Sequence, residues 1–167
     1  NFGQRPIDEH LKGFEKMGAK CIECDDYVEI TTNEKLKSSK ITLDKISVGA
    51  TINMILASVF TEGETEVLNI AIEPHVDDLI KYLCLCGANI VRTGNKVKIK
   101  GVSSLRGVRY RISPDTIESL TYISCLGVTS GVLELKNTNV EHLSPLIPML
   151  AEMGYDITCF GDDIVNI

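Results

Sequence analysis

Two short stretches hold residue types whose spacing suits chemistry. The first is Lys45-Ile46-Ser47-Val48-Gly49, set just ahead of the largely apolar run from Ala50 to Phe60. A strand end that hands over to a helix leaves backbone N–H groups with no partner inside the helix. Ser47 brings a hydroxyl, Gly49 lets a ligand approach the backbone closely, and Lys45 adds a positive charge. Such a junction suits a phosphate or another anion, and the same local pattern also describes an ordinary capped helix. The second stretch is Arg5-Pro6-Ile7-Asp8-Glu9-His10. The planar fork of Arg5 matches bidentate phosphate contact, and Asp8 is an acceptor for an N–H donor. Without further context Arg5 also reads as a surface cation, Asp8 as a first-turn helix carboxylate and His10 as an ordinary packed or solvent-facing histidine.

The six cysteines offer less. Cys21-x-x-Cys24 lies in a β-like stretch, where that spacing puts the two side chains on opposite faces. Cys84-x-Cys86 lies in a helical stretch, about 200° apart around the axis. Neither pair converges on a metal, so buried free thiols are expected, with no metal and no cofactor. Reduced thiols suit the cytoplasm.

Elements that position these residues can be read from periodicity. Ile7, Leu11, Phe14 and Met17 form a helical stripe, with Pro6 suited to its first turn and Gly18 ending it. A hairpin follows through Asp25-Asp26. Residues 33–40 read as loop, and 41–48 as a strand with Ile41, Leu43 and Ile46 facing a core. The helix from about Gly49 should bury Ile52, Ile55, Leu56 and Val59. After a strand at 65–70, Glu73-Pro74 opens a helix with Val76, Leu79, Ile80 and Leu83 on one face, ended by Gly87. Ala88–Thr93 and Lys96–Lys100 flank Gly94-Asn95 as a hairpin. Tyr110–Ser113 is strand-like, Pro114 and Asp115 open a helix through Ser124, and a helix spans about Val140 to Met153 before a hairpin at Gly161.

The pattern is a repeat. Gly18, Gly87 and Gly154 are 69 and 67 residues apart, each followed by strand, turn and strand, while Gly63 and Gly131, like Asn69 and Asn137, are 68 apart. The unit is β-α-β-α-β-β, of roughly 67 residues. The chain holds about two and a half units of an α/β fold (α+β by some schemes), each sheet covered on one face by two helices. With 167 residues, 44% apolar, 24% charged and a net charge of −6, the chain has the composition of a folded protein. No basic tract with interleaved aromatics points to nucleic acid, and no apolar run approaches a membrane span. The first residues do not resemble a signal peptide, and the absence of Met ahead of Asn1 suggests a processed or excised fragment.

Taken together, Gly3–Gly13 (GQRPIDEHLKG), Lys45–Asn53 (KISVGATIN), Glu73-Pro74 and Tyr110–Glu118 (YRISPDTIE) resemble, in order and spacing, the enolpyruvyl transferases. The branch that acts on UDP-N-acetylglucosamine is closer than the branch that acts on shikimate 3-phosphate. The resemblance covers essentially the whole chain and about 40% of a complete family member. It implies six such units in two domains, and transfer of the enolpyruvyl group of phosphoenolpyruvate to the 3′-hydroxyl of UDP-N-acetylglucosamine with release of phosphate. That reaction opens peptidoglycan synthesis.

By the same resemblance, residues 1–112 belong to the UDP-sugar-binding domain, as an incomplete unit 1–35, a complete unit 36–101 and a crossover. Residues 113–167 form one unit of the second domain. Arg5 falls near substrate phosphates, Pro6, Ile7, Asp8 and Glu9 line the uridine part, and His10 lies close to the UDP-sugar. Lys45, Ile46, Ser47, Val48 and Gly49 form the nucleotide-binding strand end. Glu73 sits in the interdomain region with an ordering or electrostatic role. Asp115 and Glu118, at the crossover, read as structural.

The family's loop cysteine, in the pattern C-A-x-G-x-R-P, would precede Asn1, so no catalytic residue is expected here. His75 stands where many members carry a second glutamate, and Thr116 where many carry arginine. Two other readings therefore stand beside the first: a relative of 5-enolpyruvylshikimate-3-phosphate synthase, and a non-catalytic nucleotide-sugar binding or scaffold paralogue.

Overall fold

Residues 6–129 and 131–167 are described in the computed structural model, and they divide into two units, 1–110 and 111–167. The first unit starts with helix α1 (Asp8–Lys16), whose acidic residues Asp8 and Glu9 lie in the first turn and Lys16 in the last, as the helix dipole favours. Gly18 then takes a left-handed φ of 93°. The hairpin of β1 (Lys20–Glu23) and β2 (Val28–Thr31) follows, antiparallel, with Lys20 opposite Thr31.

A four-stranded sheet holds the rest of this unit. Its members are β3 (Lys40–Thr42), β4 (Glu64–Leu68), β5 (Asn89–Thr93) and β6 (Lys96–Lys100), in the order β3-β4-β6-β5. β3 runs parallel to β4, and the other pairings are antiparallel. Helix α2 (Val48–Ser58) carries the chain from β3 back to β4, and α3 (Pro74–Cys86) from β4 to β5. One sheet face is apolar: Ile41, Val67, Ile90, Val97 and Ile99 meet Met54 and Ile55 of α2, Val76, Ile80 and Leu83 of α3, and Met17 after α1. Each such side chain contributes about 1.5–3 kcal/mol by leaving water. The other face is charged, with Glu66 3.2 Å from Lys40 and 3.7 Å from Lys96. The Lys40 hydrogen bond holds the Glu66 carboxyl below the usual carboxylate range.

The second unit contains α4 (Thr116–Leu126), β7 (Glu134–Lys136), α5 (Val140–Leu143), α6 (Ile147–Glu152), β8 (Thr158–Phe160) and β9 (Ile164–Asn166). Its sheet, β7-β9-β8, is antiparallel, and Ile123, Leu143, Val165 and Ile167 form its core.

The duplication is written into the backbone. Gly18, Gly87 and Gly154 all adopt positive φ (93°, 107°, 94°), as do Gly94 and Gly161 (59°, 61°). Asn69 and Asn137, the two non-glycine residues with positive φ among those described, match at 59° and 56°. Asparagine is a side chain that tolerates this region. The helix starts agree as well: Thr51 Oγ1 donates to the Ser47 carbonyl at 2.7 Å, and Ser119 Oγ to the Asp115 carbonyl at 3.2 Å.

Several expectations need correction. The strand after residue 40 stops at Thr42, and Ile46 is 64% exposed in the loop before α2. On α2 the buried face is Ala50, Thr51, Met54, Ile55 and Ser58, while Leu56 is exposed; the hydroxyls of Thr51 and Ser58 bond helix carbonyls, so two polar residues turn inward and the apolar pattern points to the wrong side. Tyr110–Ser113 forms no strand. The helix expected over 140–153 is broken into α5 and α6, because Pro145 has no N–H to give and its ring crowds the preceding turn. Of the six cysteines only Cys86 is buried; Cys21 is half-buried and the other four are exposed, all as free thiols. No helix among the described residues is long and apolar enough to cross a membrane.

Candidate anion site at the start of helix α2

Parallel β3 and β4 end at the same side of the sheet, and α2 and α3 start from there. In parallel pairs this carboxyl edge is where ligands collect. Ser47 is the N-cap of α2: its hydroxyl accepts from the Ala50 amide at 3.2 Å, and its carbonyl accepts from the Thr51 amide at 2.9 Å. The Val48 and Gly49 amides precede that first intrahelical bond. Thr51 Oγ1 accepts from the Ala71 amide at 3.0 Å, and this fastens the segment after β4 to the first turn of α2. Asn69, in its left-handed turn, donates from Nδ2 to the Leu43 carbonyl at 2.8 Å. Among the described helices of eight residues or more, α2 alone has no acidic residue in its first turn. Its partial positive end is therefore unanswered from within the helix. Lys45 and Ile46 are exposed on the loop leading in, and Val48, the first helical residue, is half-buried.

Helix α1 is brought against this place by three contacts. Gly13 carries no Cβ, and an ideal one would overlap Met54 Sδ, so the two helices meet here at a distance that any side chain at 13 would disturb. Asn53 Nδ2 lies 2.8 Å from His10 Nδ1. Glu9, 7% exposed, accepts the Asp44 amide at 2.8 Å through Oε2. Lys12 completes the clamp, 2.6 Å from Asp44 and 3.7 Å from Glu9 Oε1. The Lys12 hydrogen bond holds the Asp44 carboxyl below its usual range, and the same bond raises Lys12.

The expected residues divide as follows. His10, Ser47 and Gly49 converge, with Lys45, Ile46 and Val48 beside them. Ile7 is the N-cap position of α1 without a side-chain cap bond, and Asp8 and Pro6 are exposed ahead of or within its first turn. Glu9 is buried, and its Oε2 accepts the Asp44 amide. Glu73 precedes α3 with no capping bond from its side chain, two residues beyond the tethered Ala71. Arg5 lies outside the described residues. Sequence reasoning missed Lys12, Asp44 and Asn53 as members of the site. All three lie in or next to the strings quoted above, but only the folded chain shows which partners they take.

Several clefts open on this unit. One of about 420 Å³ is lined by Glu9, Lys12, Lys16, Leu43 and Asp44. A larger one, about 690 Å³, lies at the far end of α2 beside Lys35, Phe60 and Val102, away from the chemistry-bearing residues. The second unit offers a contrast. Asp115 caps α4 with its own carboxylate, accepting the Ile117 amide at 2.8 Å, and a cleft of about 260 Å³ adjoins it.

The family profile of EPSP synthase (3-phosphoshikimate 1-carboxyvinyltransferase) matches residues 1–166. UDP-N-acetylglucosamine 1-carboxyvinyltransferase 2 of Clostridium acetobutylicum is 45% identical over 166 residues, 99% of this chain and 39% of that protein. UDP-N-acetylglucosamine 1-carboxyvinyltransferase of Halothermothrix orenii is 46% identical over 158 residues, 94% of this chain and 38% of its own length. This chain thus spans about two fifths of the relatives it matches. Among solved structures, the enolpyruvyl transferase NikO from Streptomyces tendae superposes with a TM-score of 0.79 at 25% identity, over 98% of this chain and 42% of that one. EPSP synthase from Acinetobacter baumannii gives 0.71 at 22% identity, over 98% of this chain and 39% of that one, and so a likeness of fold.

Proposed function

The chain belongs to the EPSP synthase family of 1-carboxyvinyltransferases, and from that membership we propose that it supplies the nucleotide-sugar face of an enzyme that transfers the enolpyruvyl group of phosphoenolpyruvate to UDP-N-acetylglucosamine. The observation that carries this reading is the start of α2. Ser47–Gly49 opens a helix with no acid of its own, Lys45 precedes it, and His10 faces it from α1. Backbone amides at a helix start and a nearby cation are a fit for a diphosphate. The names of the 45% and 46% identical relatives support UDP-N-acetylglucosamine over shikimate 3-phosphate as the acceptor.

In this proposal Lys45, Ile46, Ser47, Val48 and Gly49 hold the nucleotide phosphates, with Arg5 as a further cation. Pro6, Ile7 and Asp8 border the uridine, His10 meets the sugar nucleotide, and Glu73 adds negative charge at the domain boundary. Glu9 acts through the Asp44 loop. Residues 1–112 form part of the sugar-binding domain, and 113–167 one unit of the second. The working enzyme acts in the bacterial cytoplasm at the entry to cell-wall synthesis.

Titration of the isotopically labelled chain with UDP-N-acetylglucosamine tests the reading. The expected result is amide shifts at Ser47–Ala50 and a ring shift at His10, with an affinity weaker than 10 μM, roughly −7 kcal/mol. Shifts there with shikimate 3-phosphate and none with the UDP-sugar would overturn it. The 167 residues alone should release no phosphate from the two substrates above blank, because the family's loop cysteine has no counterpart among Cys21, Cys24, Cys84, Cys86, Cys125 and Cys159.

A further inference from the structure

His10 reaches α2 at two points on one helix face. Gly49 and Asn53 are four residues apart, so their side-chain positions stack one above the other. The Cε1–Nε2 edge of the imidazole covers Gly49: an ideal Cβ there would lie 3.0 Å from Cε1 and 3.2 Å from Nε2. The other ring nitrogen, Nδ1, is 2.8 Å from Asn53 Nδ2. An amide NH₂ can only donate, and a ring nitrogen accepts only when it carries no proton. With Asn53 Nδ2 as the donor, Nδ1 is the acceptor, and the proton of an uncharged ring then sits on Nε2.

We propose that Asn53 is a positioning residue that holds His10 in the neutral Nε2–H tautomer, so that the ring presents a hydrogen-bond donor, and no free lone pair, over Gly49 at the start of α2. This deepens the proposed function and rests on it for the identity of the ligand, an anionic nucleotide sugar whose oxygen would accept that N–H. It also assigns the ring a limit. With Nδ1 occupied by Asn53 and Nε2 protonated, His10 recognises substrate and does not abstract a proton from it. A Cβ at 49 would press on the ring edge and require it to give by a few tenths of an ångström. A merely structural tie between α1 and α2 would need the contact but not this tautomer, since the opposite tautomer can also bond a suitable partner.

The decisive measurement is a two-bond ¹H–¹⁵N correlation spectrum of the ¹⁵N-histidine-labelled full chain at pH 8.5. The expected His10 pattern is a pyrrole-type Nε2 and a pyridine-type Nδ1. In Asn53→Asp the carboxylate can only accept, and His10 should switch to Nδ1–H. A wild-type Nδ1–H pattern, or a rapidly averaged one, overturns the proposal, and so does Nε2–H persisting unchanged in the folded variant. The wild-type spectrum decides without the variant should Asn53→Asp not fold. Adding UDP-N-acetylglucosamine separates the two readings: an Nε2–H ring that does not respond to it counts against the nucleotide-sugar assignment and leaves the tautomer standing.

Discussion

Lys12 and Asp44 join residues 32 apart in sequence across an exposed ion pair. Such pairs add little to stability, so this one is better understood through what it holds still. It fixes the loop that leads to Lys45 and Ser47, together with the Glu9 bond to the Asp44 amide. Because Lys12 lowers the native pKa of Asp44, the folded chain binds that proton less readily than the unfolded chain. The contribution is complete above the ordinary aspartate value and is lost as pH falls through the depressed one. In Lys12→Met, carbon-detected titration should find the Asp44 carboxyl moved back up towards the ordinary aspartate range. Thiol chemistry gives a second check at this scale. Cys24, Cys84, Cys125 and Cys159 are exposed and should react promptly with an aromatic disulfide reagent. Cys86 is buried, and burial raises the Cys21 thiol, so both should lag, since the thiolate is the reacting form. The two thiols of α3 were partly legible: Val76, Ile80 and Leu83 set the inward phase, which carries Cys86 inward and Cys84 out. His10–Asn53 was not legible, because nothing local to either residue selects a partner 43 positions away.

Among elements, the α1–α2 contact depends on a missing side chain. A Cβ at Gly13 would need the space taken by Met54 Sδ and Cε, at 2.2 and 2.8 Å. The thioether is flexible, so it can shift, and alanine gains helix propensity over glycine by about 1 kcal/mol. Overpacking costs about 1–3 kcal/mol. Gly13→Ala should therefore destabilise by a net of about 1 kcal/mol in chemical denaturation, and a smaller residue at 54 should recover part of it, a coupling that a double-mutant cycle would measure. Helix ends were legible where special backbone geometry demanded a residue type, as at Gly18, Gly87 and Gly154. They were illegible where apolar periodicity ran on through Pro145, and the inward face was illegible along α2, where Thr51 and Ser58 are buried and Leu56 is exposed.

At the scale of the molecule, the two units are unequal. Sixteen buried apolar residues make the core of the first, and four that of the second, among the described residues. Stability follows buried area, and opening free energies vary across a structure with it. Amides of β4 and β6 should exchange with solvent deuterium far more slowly than those of β7 and β9. Equal protection across both sheets would contradict this account. The unit length, the family and most of the element order were legible in the sequence because the same left-handed turns recur at fixed intervals; the strand expected at 110–113 and the unbroken helix over 140–153 were not found. Which side of each helix meets its sheet was not, since that is settled by contacts distant in the chain.

The carboxylate of Asp115 gives those recurring turns a lasting asymmetry. Duplication hands a protein two versions of the same socket, and here one version arrives already plugged. The α4 amides are occupied by a fixed negative charge, which repels any incoming phosphate, while the twin at Ser47 stays open behind a neutral hydroxyl. Under the proposed function, Asp115 in place of Ser47 is one of several differences between the copies, with Ser113 for Lys45 and Ile117 for Gly49, that turn an anion away from the second helix start and towards the first.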